Sequence, residues 1–312
     1  MLRAKEARLI TREQYERMLT EPNFAEVCRV AADAGYEDMS EMDVAGINDA
    51  LERHLSAELA EMREMVPDKA LVRLFSLQYD CHNAKVLVKS GGDADKNAAL
   101  FSGAGCYSVE DLKLAYDEED NDGVLPPELA QAIREAAQAL ARTGNPQQAD
   151  YLLDKAYFAL LLREAVGTGR PFLAGYVRNR IDKVNLRSLL RTLNMGRREE
   201  LLSRALIEGG NVGLDQLSDP GLGREDIERL FAPTIFDTAA QAEDVTAFEK
   251  AADNAEQAFI SGGSLIPFGP EVTLEYAAAV ENEAVSLRII LTGKRMGISG
   301  DTLRERLREC YV

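Results

Sequence analysis

Three acidic residues recur in similar company along the chain, and they are the residues whose type and spacing could do chemistry. Asp80-Cys-His-Asn83-Ala-Lys85-Val-Leu-Val-Lys89 is matched by Asp182-Lys-Val-Asn185-Leu-Arg187-Ser-Leu-Leu-Arg191 and, more loosely, by Glu283-Ala-Val-Ser286-Leu-Arg288-Ile-Ile-Leu-Thr292. Asp182 follows Asp80 by 102 positions, and Glu283 follows Asp182 by 101. On a helix, residues i, i+3, i+4 and i+7 share a face, so each acid neighbours the Asn or Ser three residues on, whereas Lys85, Arg187 and Arg288 lie toward another side. Carboxylates in this pattern would do acid–base work if they converged in one pocket beside a base or nucleophile. The apolar residues woven between them favour another use. A buried charge must be paired, so each acid is expected to be held by a base or a backbone group within its own lobe.

Other constellations carry less. Asp117-Glu-Glu-Asp120-Asn-Asp122-Gly123-Val-Leu-Pro-Pro-Glu128 resembles a calcium loop at three positions, but its twelfth would be Leu129 where a bidentate glutamate is needed, and two prolines block the exiting helix. A solvated acidic loop is expected there. Gly103-Ala-Gly105-Cys-Tyr-Ser108 is a broken dinucleotide fingerprint that follows a helical run where a strand is required. The sequence contains no G-x-x-x-x-G-K-[ST] phosphate loop and no H-E-x-x-H, and neither His54 nor His82 has a glutamate three residues before it. Cys28, Cys81, Cys106 and Cys310 are scattered without a C-x-x-C pair, which fits reduced thiols acting as small apolar residues. No catalytic, cofactor-binding or metal-ligating residue is therefore assigned.

The elements that must position these residues are helical. Leu153, Tyr157, Leu160 and Leu161 fall on one face, as do Leu186, Leu189, Leu190 and Leu193, and strand-like alternation is rare. Ten prolines leave helix-sized intervals between them. Thr11 with Gln14 reads as a capping box, Ser40 and Ser108 precede runs carrying Asp43 and Asp111, and Pro127 suits a first helical turn. The expected class is all-α.

With 312 residues, 46% hydrophobic and 29% charged, the chain can bury a core, and its longest uncharged apolar run is only Ala156 to Leu162. Charged residues return at once after Met1-Leu2, so no leader is expected and a cytoplasmic address follows. Thirty-six basic against 53 acidic residues leave a net charge of −17, which repels nucleic-acid phosphates and anionic lipid headgroups alike. Against that background basic residues concentrate in a stretch from Arg178 to Arg204, where Arg180, Lys183, Arg187, Arg191, Arg197, Arg198 and Arg204 stand out. Two uses remain open for it: docking a partner, or neutralising neighbouring acids and covering apolar surface with long stems.

The acid-bearing segments belong to a longer self-similarity. Upstream of each lies another acid in an apolar helical pattern, at Glu52, Asp154 and Glu249, with gaps of 28, 28 and 34 residues. Downstream each reaches a glycine-marked turn and a leucine: Gly105 to Leu112, Gly210 to Leu217, and Gly297 to Leu303. A period near 100 residues is too long for the common helical solenoids. The expectation is three pseudo-equivalent helical lobes around an axis, spanning residues 1–116, 117–220 and 221–312.

Taken in order, these segments resemble the C subunit, also called the d subunit, of V-type ATPases and ATP synthases. The carriers are Leu2-Arg3-Ala4-Lys5-Glu6-Ala7-Arg8-Leu9-Ile10-Thr11, the Asp154-Lys-Ala-Tyr157 helix, the Asp80 to Lys89 segment, and Tyr176 through Asp182 to Arg191. The resemblance implies an all-helical funnel of three related units. It also implies a non-catalytic, cofactor-free rotor component that joins the D and F subunits of the central shaft to the membrane proteolipid ring and passes torque between them. The implied location is peripheral to the membrane through protein contacts, with no direct lipid insertion. The chain starts close to the first shared helix, and Glu283 with Ser286 replaces the Asp and Asn of the other two segments. A helical scaffold or adaptor outside a rotary ATPase is the alternative.

Overall fold

Capping residues and prolines set where the helices begin. The computed structural model describes residues 2–66, 68–118, 123–193, 195, 197–261 and 269–307, and among these the chain is helical with no strand. The first helices are α1 (Leu2–Glu6), α2 (Arg12–Thr20), α3 (Phe24–Asp33), α4 (Val44–Met65), α5 (Lys69–Lys89) and α6 (Val109–Tyr116). They are followed by α7 (Pro127–Thr143), α8 (Pro146–Gly167), α9 (Pro171–Thr192), α10 (Arg198–Ala205) and α11 (Leu214–Leu217). The last are α12 (Arg224–Phe231), α13 (Asp237–Ala240), α14 (Val245–Ser261), α15 (Pro270–Arg295) and α16 (Gly300–Arg306).

Thr11 and Gln14 form the expected capping box on α2, Ser108 and Asp111 form another on α6, and Pro127 opens α7. Proline occupies the first turn of α8, α9 and α15 too, where its missing N–H removes no helical bond. At Ser40 the structure differs. Helix α4 starts at Val44, with the Asp43 carboxylate accepting the Gly46 N–H at 2.8 Å, while Ser40 stays in the preceding turn and donates its N–H to Asp38. The acid in the Ser40 to Asp43 run is thus itself the cap.

The chain forms two compact units. One comprises residues 68–242. In it α8 packs against α7, α5 and α9, and α6 lies against α5 and α7. The buried face of α7 is largely alanine (Ala130, Ala132, Ala136 and Ala139), which lets a neighbouring backbone approach closely, and the helix ends at Gly144 with φ of 64°. Leu153, Tyr157, Leu160 and Leu161 of α8 are all buried as their spacing predicts. On α9 Leu186 and Leu189 are buried, and Leu190 and Leu193 are half-buried.

The other unit combines residues 1–67 with residues 243–312. Its axis is the 26-residue α15, which packs against α4, α3, α14, α16 and α1. Leu287, Ile290 and Leu291 of α15 share one core with Ile10, Met18, Val27, Ile47 and Leu51. Sequence separations of over two hundred residues are therefore closed by apolar burial, each side chain of this size contributing roughly 1.5–3 kcal/mol.

No helix among the described residues is long and apolar enough to cross a membrane. Cys28 and Cys81 are buried free thiols, pushed up by burial to about 11 and about 12 respectively, and Cys106 is half-buried. Cys310 and the loop residues Glu119 to Asp122 lie outside the described residues.

Candidate functional site

The repeated acids hold turns. Asp80 is fully buried on α5, and its two carboxylate oxygens each accept one backbone N–H, from Cys106 at 3.0 Å and Tyr107 at 3.0 Å. One helical turn on, Asn83 brackets Ser102: its Nδ2 donates to the Ser102 carbonyl at 2.9 Å, and its Oδ1 accepts the Ser102 N–H at 2.8 Å. Ser108, the next residue in the chain after Tyr107, caps α6.

Asp182 and Asn185 repeat this arrangement on α9. Asp182 accepts the N–H groups of Asn211 at 3.1 Å and Val212 at 3.2 Å, and also the Asn211 side-chain amide at 2.8 Å. Asn185 brackets Ile207 through its N–H and carbonyl, both at 2.8 Å. Gly213 then caps α11. In both turns the residue before the donor pair must be glycine, because a Cβ at Gly105 would collide with the Asp80 carboxylate and one at Gly210 with that of Asp182. Burial raises the Asp182 carboxyl above its usual range, against the pull of Asn211, Val212 and Arg178.

Glu283, on α15, is bonded differently. The Gly297 turn does not reach it; that turn leads into α16, whose Leu303 packs into the core of this unit. Glu283 Oε2 instead accepts the N–H of Ile10 at 2.5 Å, and Oε1 accepts the Tyr36 hydroxyl at 2.9 Å. Ile10 directly precedes the cap Thr11, as Tyr107 precedes Ser108 and Val212 precedes Gly213. Ser286, in the place of the bracketing asparagines, points its hydroxyl to Asn282 at 3.4 Å. Burial raises the Glu283 carboxyl, the bonds from Ile10 and Tyr36 oppose this, and nearby Glu58 adds to it. The Tyr36 ring stacks on His54 with centroids 3.8 Å apart, and burial holds that imidazole below its usual range.

Beside this group, Glu58 of α4 accepts from Lys5 Nζ at 2.8 Å and from the Tyr276 hydroxyl at 2.7 Å, and Lys5 also reaches Glu61 at 2.6 Å. Burial opposes the charge on Glu58, yet Lys5 and Tyr276 outweigh it and hold the carboxyl below its ordinary value.

Two of the basic residues five positions beyond the acids face other helices. Lys85 Nζ lies 2.6 Å from Asp154 Oδ1, joining α5 to α8. Arg288 Nε donates to Asn48 Oδ1 at 3.1 Å, joining α15 to α4. Glu52 of α4 accepts from Ser56 at 3.3 Å, and Arg187 and Glu249 are half-buried on α9 and α14.

The basic stretch divides by exposure. Arg180 bonds Gln78 at 2.9 Å and lies over the Tyr176 ring, and Arg198 donates to the carbonyls of Pro220 and Leu222. Lys183 is half-buried, whereas Arg191 and Arg197 are exposed. Arg197 has φ of 59°, an uncommon backbone for a side chain of its size.

The geometry couples each acid to main-chain donors, which fixes loops between helices. Among the described residues no group of three or more His, Cys, Asp and Glu side chains is placed to hold a metal ion. His82 is exposed and bonds the Leu100 carbonyl at 2.8 Å, away from Asp80. Residues that sequence reasoning missed are Ile10, Tyr36, Lys5 and Glu58. Ile10 and Lys5 stood in the sequence only as part of the segment that carries the resemblance, and Ile10 also directly precedes a capping threonine.

A family model described as ATP synthase (C/AC39) subunit matches residues 1–306. The chain is 24% identical to the C subunit of the V-type sodium ATPase of Enterococcus hirae, the alignment covering 100% of this chain and 97% of that one. It is 22% identical to the C subunit of the V-type ATP synthase of Thermus thermophilus, over 96% of this chain and 94% of the relative. The C subunit of the A-type ATP synthase of Halorubrum lacusprofundi is 23% identical, over 98% and 95%.

Proposed function

The chain belongs to the ATP synthase (C/AC39) subunit family, and from that premise we propose a non-catalytic central-stalk component of a rotary V-type ATPase or ATP synthase. It joins the D and F subunits of the shaft to the membrane proteolipid ring and transmits torque during ATP-linked cation transport. The observation that carries this reading is the family match along residues 1–306, together with near-complete alignment to relatives that are C subunits of such enzymes.

Physical features support it. A coupling piece must resist twisting, and here buried acids tie inter-helical turns to long helices in both units. The net charge of −17 disfavours anionic lipid, so attachment to the membrane runs through protein contacts on its cytoplasmic side. Within the basic stretch we assign docking to the exposed Arg191 and Arg197, while Arg180 and Arg198 brace their own unit. The three lobes at 1–116, 117–220 and 221–312 belong to the same proposal.

The test is affinity purification of the tagged chain from its own cells in mild detergent. Shaft subunits and proteolipid ring should co-elute, and raised salt should weaken the association because part of it is electrostatic. Rotary complexes that contain ring and shaft but never this chain would overturn the reading. So would exclusive recovery of an unrelated soluble partner.

A further inference from the structure

Basic side chains from α8, α9 and α10 meet around Tyr151. Asp150 and Asp154 of α8 turn toward α5, where they pair with Lys89 at 2.8 Å and Lys85 at 2.6 Å. Tyr151 and Lys155 each follow one of these acids by a residue, so they stand about 100° further round the helix, on the side of α9 and α10. Lys155 donates to the Ser203 carbonyl near the end of α10 at 3.1 Å, and burial lowers its ammonium below the ordinary range. Burial raises the Tyr151 hydroxyl; the positive charges of Arg191 on α9 and Arg204 on α10 act against this, while Asp150 and Asp154 add to it. The acids of this corner are already engaged, since Asp150 and Asp154 serve α5 and Glu200 pairs with Arg204 at 2.9 Å. Between Asp182 and Glu199, which is exposed at the start of α10, the chain has five basic residues and no acidic one. Among the described residues Arg191 and Arg197 are exposed without a carboxylate partner.

We infer that this corner, at the start of α8, the end of α9 and along α10, docks a carboxylate-rich segment of a partner protein. Arg191 and Arg204 hold its acids over Tyr151, and Arg197 meets acids further along. The inference rests on the docking role proposed for Arg191 and Arg197 and supplies the chemistry of what docks there. Guanidinium groups suit carboxylates, which they grip through two parallel N–H···O bonds. A narrow segment fits where a membrane does not. Screening over about 8 Å lets a peptide meet the local positive potential, whereas an extended anionic bilayer meets a molecule of net charge −17.

Cross-linking of the full chain in its native complexes tests this, with Arg191→Lys carrying an amine to the same place. A carbodiimide, which joins an amine to a carboxylate with no spacer, should link position 191 to an Asp or Glu of another chain, identified by mass spectrometry. Arg191→Glu combined with Arg204→Glu should cut recovery of the bound partner at least tenfold at low salt, while the urea midpoint stays that of the wild type. Arg191→Gln alone should give a smaller loss, and Arg142→Glu, at an exposed arginine of α7, should give none. A linked acid on a shaft or ring subunit would uphold both this inference and the proposed function. An acid on an unrelated protein, with binding lost in the double variant, would uphold the inference and overturn that function. Unchanged recovery and no link outside the chain would overturn the inference alone. Binding of the wild type to phosphatidylglycerol vesicles, abolished in the double variant, would overturn it too, since the surface would then read lipid phosphate.

Discussion

Gly210 and Asp182 are in such close apposition that a single methyl group on the glycine would collide with the carboxylate. Gly210→Ala must therefore shift either the turn or the acid, at the expense of the bonds to Asn211 and Val212, and should destabilise the protein by about 1–3 kcal/mol. Gly105→Ala should behave alike, for the same reason at Asp80. Gly167→Ala, where a Cβ meets nothing within 4 Å, is the control and should be neutral or mildly stabilising. Urea midpoints at fixed pH measure all three.

Two glutamates in the same unit should respond to pH with opposite sign. Burial raises Glu283 despite the bonds from Ile10 and Tyr36, so the stability it contributes is complete below its unfolded value and is lost as pH rises through the folded one. Glu58 is the reverse: burial opposes its charge, Lys5 and Tyr276 prevail, and its contribution is lost as pH falls through its depressed value. From about pH 4 upward, Glu283→Gln should therefore gain on the wild type as pH rises. Glu58→Gln should flatten the acid limb below about pH 5. Urea midpoints recorded across this range should diverge for the two variants; parallel curves would remove the assignment.

How much of this was legible beforehand depends on how local the cause is. The α2 capping box, the prolines opening helices, the buried stripe of α8 and the matched pair Asp80–Asn83 and Asp182–Asn185 are visible because each is written within one helical turn. The family resemblance rested on the same local segments and agrees with the match over residues 1–306. The third acid was harder. Reading forward from Glu283 leads to the Gly297 turn, but its donor is Ile10, 273 positions back, and only tertiary packing brings the two together. Spacing cannot reveal a partner whose separation is set by the whole fold. The bonding of Arg180 and Arg198 was equally hidden, since their acceptors, Gln78, Pro220 and Leu222, are neutral groups that no charge count reveals.

Lys85 and Asp154 test whether the ion pairs between helices contribute stability or only orient. Their side chains are 25% and 30% exposed and lie 2.6 Å apart, between a surface pair and a buried one. A double-mutant cycle with Lys85→Met and Asp154→Leu should give a coupling of about 1 kcal/mol. Each single variant should be less stable than the double, because either leaves a partly buried charge without its partner. A coupling near zero would mean that Asp150 or solvent replaces the partner at no cost.

The bracketing asparagines offer the sharpest comparison among the three acid-bearing helices. Asn185→Ala strips partners from both the N–H and the carbonyl of Ile207, which is 3% exposed and so has little water to turn to. Leaving two buried main-chain groups unsatisfied should cost about 2–4 kcal/mol, and Asn83→Ala should cost about the same at Ser102. Ser286→Ala removes only a 3.4 Å contact to Asn282 on its own helix, so a change under about 0.5 kcal/mol is expected. Chemical denaturation of the three variants orders them. A Ser286→Ala loss as large as that of Asn185→Ala would mean that the serine secures a turn as the asparagines do.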